Sequence, residues 1–185
     1  CDDKNFTNLI GENKNADADT CNTPFGYGSV KHAGYLDVPV FLNAIERYLK
    51  ALDSILLEKF SYDDLIIENE KIIYKEIQAT KIIFCEGWMI KNNPWFSYIP
   101  MKPVKGEVIT IEISDKNISS IISGGLFCVP REEGDYKVGS NYYWKNLDEM
   151  PTEKIRDDFQ KEISLLLHSD SVIIKSHQAG VRPAS

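Results

Sequence analysis

Two short apolar runs on either side of an acidic turn constrain the fold of this chain more than any other feature. Leu126 to Pro130 and Tyr136 to Gly139 flank the segment REEGD, whose glycine is typical of a hairpin turn. Upstream, the run from Val108 to Ile113 alternates apolar and polar residues, which places three isoleucines on one face of a strand. These segments predict antiparallel strands with one buried face.

Two segments carry the apolar spacing of amphipathic helices. In the first, Asp37 stands where an N-cap residue belongs, and Pro39 follows in the first turn. Its apolar stripe consists of Phe41, Ile45, Tyr48 and Leu52. In the second, Thr152 can cap a helix whose apolar face consists of Ile155, Phe159, Ile163, Leu166 and Leu167. The sequence therefore predicts helices over 38–52 and 153–167.

Several other segments read as strands. One strand is plausible around Gly28 to Tyr35, short strands fill Ser54 to Glu76, and a last strand covers Val172 to Lys175. The segment KIIFCEGW contains an apolar run over residues 81–85 that stops before a glycine, which is typical of a buried strand. The predicted fold class is α+β, with a mixed, mainly antiparallel sheet and helices packed on one side.

Length and charge narrow the class of protein. A chain of 185 residues suits one domain, which we expect over 28–185 after a polar N-terminal segment over 1–27. The 21 basic and 28 acidic residues give a net charge of −7, which argues against nucleic acid or an anionic membrane as a partner. No apolar stretch approaches the roughly 20 residues of a membrane helix and no signal peptide opens the chain, so a cytoplasmic protein is expected. Because the chain begins with Cys1 instead of methionine, we expect it to be a piece of a longer protein.

The cysteines and histidines do not predict a metal site. Cys85 and Cys128 lie inside apolar runs, where cysteine behaves as a small hydrophobe. This favours buried, reduced thiols, with a metal or disulfide role as the alternative. The three histidines, His32, His168 and His177, lie far apart without the spacing of metal ligands.

Motifs of self-contained enzymes are not found in the sequence. There is no GxSxG, HExxH, GxxxxGKS or GxGxxG pattern. The local features that stand out are CEGW, PVKGEVITI, VPREEGDYKVGS and AGVRP. Each of them, taken alone, is more consistent with an ordinary turn or a surface segment than with a functional site.

Taken in order, these features resemble the flavin-dependent amine and amino-acid oxidoreductases, the family of D-amino-acid oxidase, glycine oxidase and sarcosine oxidase. The resemblance runs from about Gly28 to the end of the chain. GYLDVPVFLNAI is similar to the segment that leads into the first helix of the substrate domain, and PMKPVKGEVITI to the segment that returns to the substrate sheet. KIIFCEGW resembles a strand of the FAD-binding domain. FCVPREEGDYKVGSNYYW resembles the family hairpin, and AGVRP completes the order.

The resemblance implies roles for particular residues. FAD would approach the backbone at Gly87 and Trp88, with Phe60 as a further peripheral contact. Arg182 matches the family arginine that binds the substrate carboxylate, for which the planar guanidinium fork is well suited. Phe127 stands where D-amino-acid and glycine oxidases carry a tyrosine that helps to hold this carboxylate.

Two departures from the family pattern accompany these matches. Phe127 lacks the hydroxyl that the family tyrosine supplies. Tyr136, Tyr142 or Tyr143 could supply it instead, but each of these could equally be an aromatic residue on a sheet face. Glu86 stands where the family commonly has alanine. No catalytic residue is assigned.

The resemblance also implies that the chain is a central fragment. The family's dinucleotide-binding motif and its second glycine-rich flavin-contacting segment are not in this sequence. We expect a substrate-binding domain, with residues 81–87 resembling part of an FAD-binding domain, from a parent that uses FAD to oxidise an amine or amino acid. The fragment alone is expected to be inactive and to bind FAD weakly or not at all. The alternative is a non-catalytic binding domain derived from that fold.

Overall fold

The computed structural model describes residues 21–68, 71–131 and 134–184. Within this part of the chain there are two compact units. The first unit comprises residues 21–35 and 104–181, and the second comprises residues 36–103 and 182–184. The predicted N-terminal segment lies, up to residue 20, outside the described residues. Each unit is smaller than the expected domain over 28–185, whose role in substrate binding stays a prediction.

The helices and strands follow the predicted α+β class. In chain order they are α1 (Val38–Ala51), β1 (Leu65–Glu68), β2 (Lys71–Tyr74), β3 (Ile77–Ala79), β4 (Val104–Ile113), β5 (Ile122–Gly124), β6 (Leu126–Pro130), β7 (Asp135–Gly139), α2 (Glu153–Leu167) and β8 (Val172–Arg182). Short 3-10 helices cover Tyr62–Asp64 and Gly87–Asn92. The mainly antiparallel arrangement is confirmed.

The first unit is built on a five-stranded sheet with the order β5-β6-β7-β4-β8. β5 pairs antiparallel with β6, β6 with β7, and β7 with β4. The predicted hairpin is confirmed, with Cys128 opposite Val138 and the turn closed by Arg131 N–H donating to Asp135 O at 2.8 Å. β8 is longer than the predicted strand and continues to Arg182.

One face of this sheet forms the core with α2. The three isoleucines at alternate positions of β4 are buried, as predicted, and α2 contributes Phe159, Ile163 and Leu167. Cys128 and Val138 complete the centre of this cluster. Burial in this apolar cluster disfavours the charged form and raises the pKa of the Cys128 thiol to about 12. The prediction of a buried thiol is confirmed for Cys128.

The second unit contains α1 and an antiparallel meander, β1-β2-β3. α1 begins as predicted: Asp37 Oδ1 accepts a hydrogen bond from Val40 N–H at 3.2 Å, and Pro39 lies in the first turn. Unlike α2, however, α1 buries none of its residues, although packing on the sheet was expected. Its apolar stripe is formed but exposed, with Phe41 46% and Tyr48 62% accessible.

Two predicted strands are wrong. Residues 81–85 pair with no strand among the described residues, and Ile83 is 85% exposed. A short apolar run becomes a strand only when a neighbouring strand satisfies its backbone groups, and the sequence of the run does not supply one. The run around Gly28 to Tyr35 contains isolated bridge residues and a turn instead of a strand.

Cys85, expected to be buried, is exposed. Ile83 is exposed as well, whereas Phe84 between them is half-buried. Cys85 and Cys128 are free thiols.

The described residues contain neither a membrane-spanning helix nor a cluster of metal ligands. No helix there is long and apolar enough to cross a membrane. No group of three or more His, Cys, Asp or Glu side chains within 21–68, 71–131 and 134–184 is placed to hold a metal ion.

Candidate functional site

Phe127 lies on the sheet face that points away from the core of the first unit. Its neighbours Leu126 and Cys128 are buried in that core, so the ring of Phe127 projects to the opposite side. Gly139 pairs with Phe127 on one side and with Val108 on the other. A Cβ at Gly139 would lie 2.7 Å from Val108 Cγ1 and 3.3 Å from Phe127 Cζ. Glycine is therefore required at position 139, because a larger residue would clash with the Val108 and Phe127 side chains on either side of it. Phe127 itself carries no hydroxyl.

The three candidate tyrosines differ in position. Tyr136 is buried, and its hydroxyl accepts a hydrogen bond from Ile118 N–H at 3.0 Å, so this hydroxyl has a structural partner. Tyr142 and Tyr143 are exposed on the loop that follows β7. The backbone of Tyr143 bridges to Lys105 with two N–H···O bonds of 2.9 Å, which fixes the loop but leaves the side chain at the surface.

A buried charged network, missed by the sequence analysis, holds this loop. Lys105 and Glu107 are 2% and 1% exposed. Lys105 Nζ donates to Asp148 Oδ1 at 2.6 Å and to the carbonyl oxygen of Met150, and it lies 3.7 Å from Glu107 Oε1. The hydrogen bond from Lys105 is the main cause that lowers the pKa of Asp148. A buried charge is tolerated when it is paired in this way.

Glu107 joins the sheet to the start of α2 and to β8. Thr152 donates its N–H to Glu107 Oε2 at 2.8 Å and its hydroxyl to Oε1 at 2.9 Å, so the carboxylate anchors the residue that precedes the helix. His177 Nε2 lies 2.9 Å from Glu107 Oε2, and Asn141 Oδ1 accepts the N–H of Glu107 at 2.7 Å. The sequence contained a sign of this burial, because Lys105 and Glu107 alternate along β4 with the same period as the buried isoleucines and so lie on the same face of the strand.

The residues expected near FAD lie in the second unit. Gly87 is exposed at the start of the 3-10 helix with φ +57°, and no atom lies within 4 Å of the position of a Cβ. Trp88 follows it, with Lys91 Nζ 4.5 Å from the ring centroid. Phe60 stacks on Tyr74 at 4.7 Å and contacts Phe84 edge-on at 6.1 Å.

Glu86 points into the second unit and is hydrogen-bonded there. The hydroxyl of Tyr62 donates to Glu86 Oε1, and Asn93 Nδ2 donates to Oε2 at 2.8 Å. The hydrogen bond to Glu86 is the main cause that raises the pKa of Tyr62, with desolvation second. Asn93 is buried, and its Oδ1 accepts the N–H groups of Trp95 at 2.9 Å and Phe96 at 3.0 Å.

Arg182 is the last residue of β8 and falls within the second unit. Two residues later, Ala184 O accepts the N–H of Lys102 at 2.6 Å, which ties the end of the chain to the segment before β4. The predicted site residues are thus divided. Phe127, Tyr142 and Tyr143 lie in the first unit, and Phe60, Gly87, Trp88 and Arg182 lie in the second.

Comparison with solved structures supports this fold. The chain is similar to a glycine oxidase from Geobacillus kaustophilus, with a TM-score of 0.69, 14% identity, and coverage of 86% of this chain and 44% of that one. A glycine oxidase from Bacillus cereus ATCC 14579 gives a TM-score of 0.56 at 21% identity, over 66% of this chain and 36% of that one.

Sequence comparison points the same way. A glycine oxidase from Pseudomonas putida KT2440 is 28% identical over 89 residues, which are 47% of this chain and 24% of that protein. One from Pseudomonas aeruginosa PAO1 is 27% identical over 115 residues, 60% of this chain and 31% of that protein. The chain therefore spans less than half the length of these relatives. The family model described as FAD dependent oxidoreductase matches residues 17–185. The chain belongs to the family of FAD-dependent oxidoreductases.

Proposed function

We propose that this chain is the central, mainly substrate-binding part of an enzyme that uses FAD to oxidise an amine or amino acid. The observation that carries the proposal is the family match along residues 17–185, which includes the hairpin β6–β7, the Gly87 turn and Arg182. Because the relatives are glycine oxidases, glycine and other small amino acids are the first substrates to test. A cytoplasmic location stays part of the proposal.

The residues of the Gly87 turn fit a contact with FAD. Gly87 is exposed, has a backbone conformation that side chains rarely adopt, and leaves open space where a Cβ would stand. A large planar group can therefore approach the backbone at Gly87 and Trp88, with Phe60 as a peripheral contact. FAD, when bound, supplies the acceptor for the two electrons that leave the substrate.

The chain's own residues would bind and orient the substrate. Arg182 offers a planar pair of N–H donors that matches a carboxylate. In the first unit, the Phe127 and Val108 side chains beside Gly139 offer apolar contact, and Tyr142 and Tyr143 are exposed on the loop that follows β7.

The second candidate function is a binding domain that has kept the fold and lost the chemistry. The missing hydroxyl at Phe127 and the inward-pointing carboxylate at Glu86 favour it. The coding sequence upstream separates the two, because an FAD enzyme requires a strand followed by a GxGxxG turn there.

Purification of the full-length parent tests the proposal. We expect a yellow protein with bound FAD that is reduced by at least one member of a panel of amines and small amino acids, and weaker turnover of carboxylate substrates after Arg182→Met. A colourless protein that takes up no FAD, or a flavoprotein that no amine or amino acid reduces, would contradict it.

A further inference from the structure

The 3-10 helix that carries Gly87 and Trp88 is held at both ends by side chains. At its first turn the Met89 N–H donates to Glu86 O at 3.1 Å, and at its last turn the Asn93 N–H donates to Ile90 O at 2.9 Å. The side chains of the two flanking residues then bond to each other, Asn93 Nδ2 to Glu86 Oε2 at 2.8 Å. A 3-10 helix has poor hydrogen-bond geometry of its own, so this bond between its ends contributes to its shape.

The pair is anchored to the interior of the second unit. Tyr62 donates its hydroxyl to the other oxygen of Glu86, so both carboxylate oxygens accept a hydrogen bond. The ring of Tyr62 packs edge-on against Trp95 at 6.1 Å. Asn93 is 0% exposed and uses its Oδ1 to fix the next two amides of the chain, those of Trp95 and Phe96. Loss of the Glu86 carboxylate would leave the side-chain amide of buried Asn93 without its acceptor, and an unsatisfied buried polar group costs more than the bond itself contributes.

We propose that Tyr62, Glu86 and Asn93 form a clasp that positions the backbone of Gly87 and Trp88 for FAD. This inference rests on the proposed function. The three are positioning residues: their side chains bond to one another and to the backbone, whereas the exposed backbone at Gly87 faces outward. Glu86, which departs from the small residue expected there, thereby acquires a role in the cofactor site without contacting the cofactor.

The experiment uses the full-length parent and three clasp variants, Tyr62→Phe, Glu86→Gln and Asn93→Ala. Tyr98→Phe and Asn92→Ala are the matched controls, because both side chains are exposed. We expect hydrogen exchange at the amides of Met89 and Asn93 to become roughly tenfold faster in each clasp variant, as for the loss of one hydrogen bond. The dissociation constant of FAD should rise by a similar factor, with both controls within about twofold of the wild type.

Because Asn93→Ala removes three side-chain hydrogen bonds and can unfold the unit, Tyr62→Phe and Glu86→Gln decide the result. Exchange that changes no more in these two variants than in the controls would overturn the clasp. Faster exchange with unchanged FAD affinity would show a purely structural role and overturn the positioning. A wild-type parent that binds no FAD would overturn the proposed function itself, and this appears before any variant is compared.

Discussion

The two units of this chain differ in how much of their apolar surface is covered. The first buries a continuous cluster between one face of the sheet and α2, from Ile109 to Leu167. In the second, the buried residues among those described are Leu65 and Asn93. Both units contain well-formed helices with apolar stripes, so the difference lies in packing and not in local sequence. A stripe predicts a helix, but whether that stripe is covered depends on the rest of the fold.

The largest effect is expected where the first unit buries charge. Lys105→Met removes the cation that lies between Glu107 and Asp148 and leaves buried Glu107 without its positive neighbour. We expect the free energy of unfolding of the first unit to fall by about 3–5 kcal/mol. Urea unfolding, followed by a probe in that unit, measures the loss. Lys50→Met is the control, since Lys50 makes an exposed pair with Glu46 whose loss costs about 0.5 kcal/mol or less.

A matched pair of isoleucines compares the two units directly. Ile163→Ala in α2 leaves a cavity in the core and should destabilise the protein by about 3 kcal/mol. Ile45→Ala in α1 removes a side chain that is already 40% exposed, and we expect a loss below about 1 kcal/mol in the 185-residue chain. Equal losses in denaturant unfolding would show that α1 is packed as well as α2.

The cysteines give the smallest effect, and it depends on pH. The Cys128 thiol has a folded-state pKa raised to about 12, against 9.0 for an ordinary thiol, so its neutral form is favoured in the folded state. Well below pH 9 the thiol is neutral in both states, so the shift does not change the free energy of unfolding. Between pH 9 and 12 the thiol is largely ionised in the unfolded state and largely neutral in the folded state. The unfolded state is therefore favoured by about 1.4 kcal/mol at pH 10.

Comparison with two variants isolates this contribution. The stability difference between wild type and Cys128→Ala should narrow by about 1.4 kcal/mol from pH 8 to pH 10. Cys85→Ala, which removes an exposed cysteine outside the core, is measured alongside as the control. If the stability difference between wild type and Cys128→Ala did not change with pH, the raised pKa of Cys128 would be contradicted.

The sequence allowed prediction of the elements whose periodicity is local. The alternation of β4, the hairpin β6–β7 and the bounds of α2 follow from side-chain spacing and turn residues, and they are confirmed. Residues 81–85 could not be assigned in this way, because a strand requires a partner that its own sequence does not specify.

The candidate site was predictable only as separate positions. Phe127 and Gly87 stand in recognisable local motifs, but the bonds of Glu86 with Tyr62 and Asn93 join residues up to 24 positions apart. The burial of Lys105 and Glu107 could have been predicted from the sequence, since both lie on the same strand face as the buried isoleucines. Their partners could not have been predicted, because the contacts with the loop around Asp148 and with the start of α2 depend on tertiary packing.

Hydrogen exchange of the 185-residue chain tests the difference between the units most directly. Amides in the centre of β4 and α2 exchange only when a packed core opens, whereas those of α1 need only local fraying. We predict protection at Ile111 and Ile163 at least roughly a thousandfold greater than at Ile45, which corresponds to about 4 kcal/mol. Equal protection of α1 and α2 would contradict the account, because it would require that the stripe of α1 be covered.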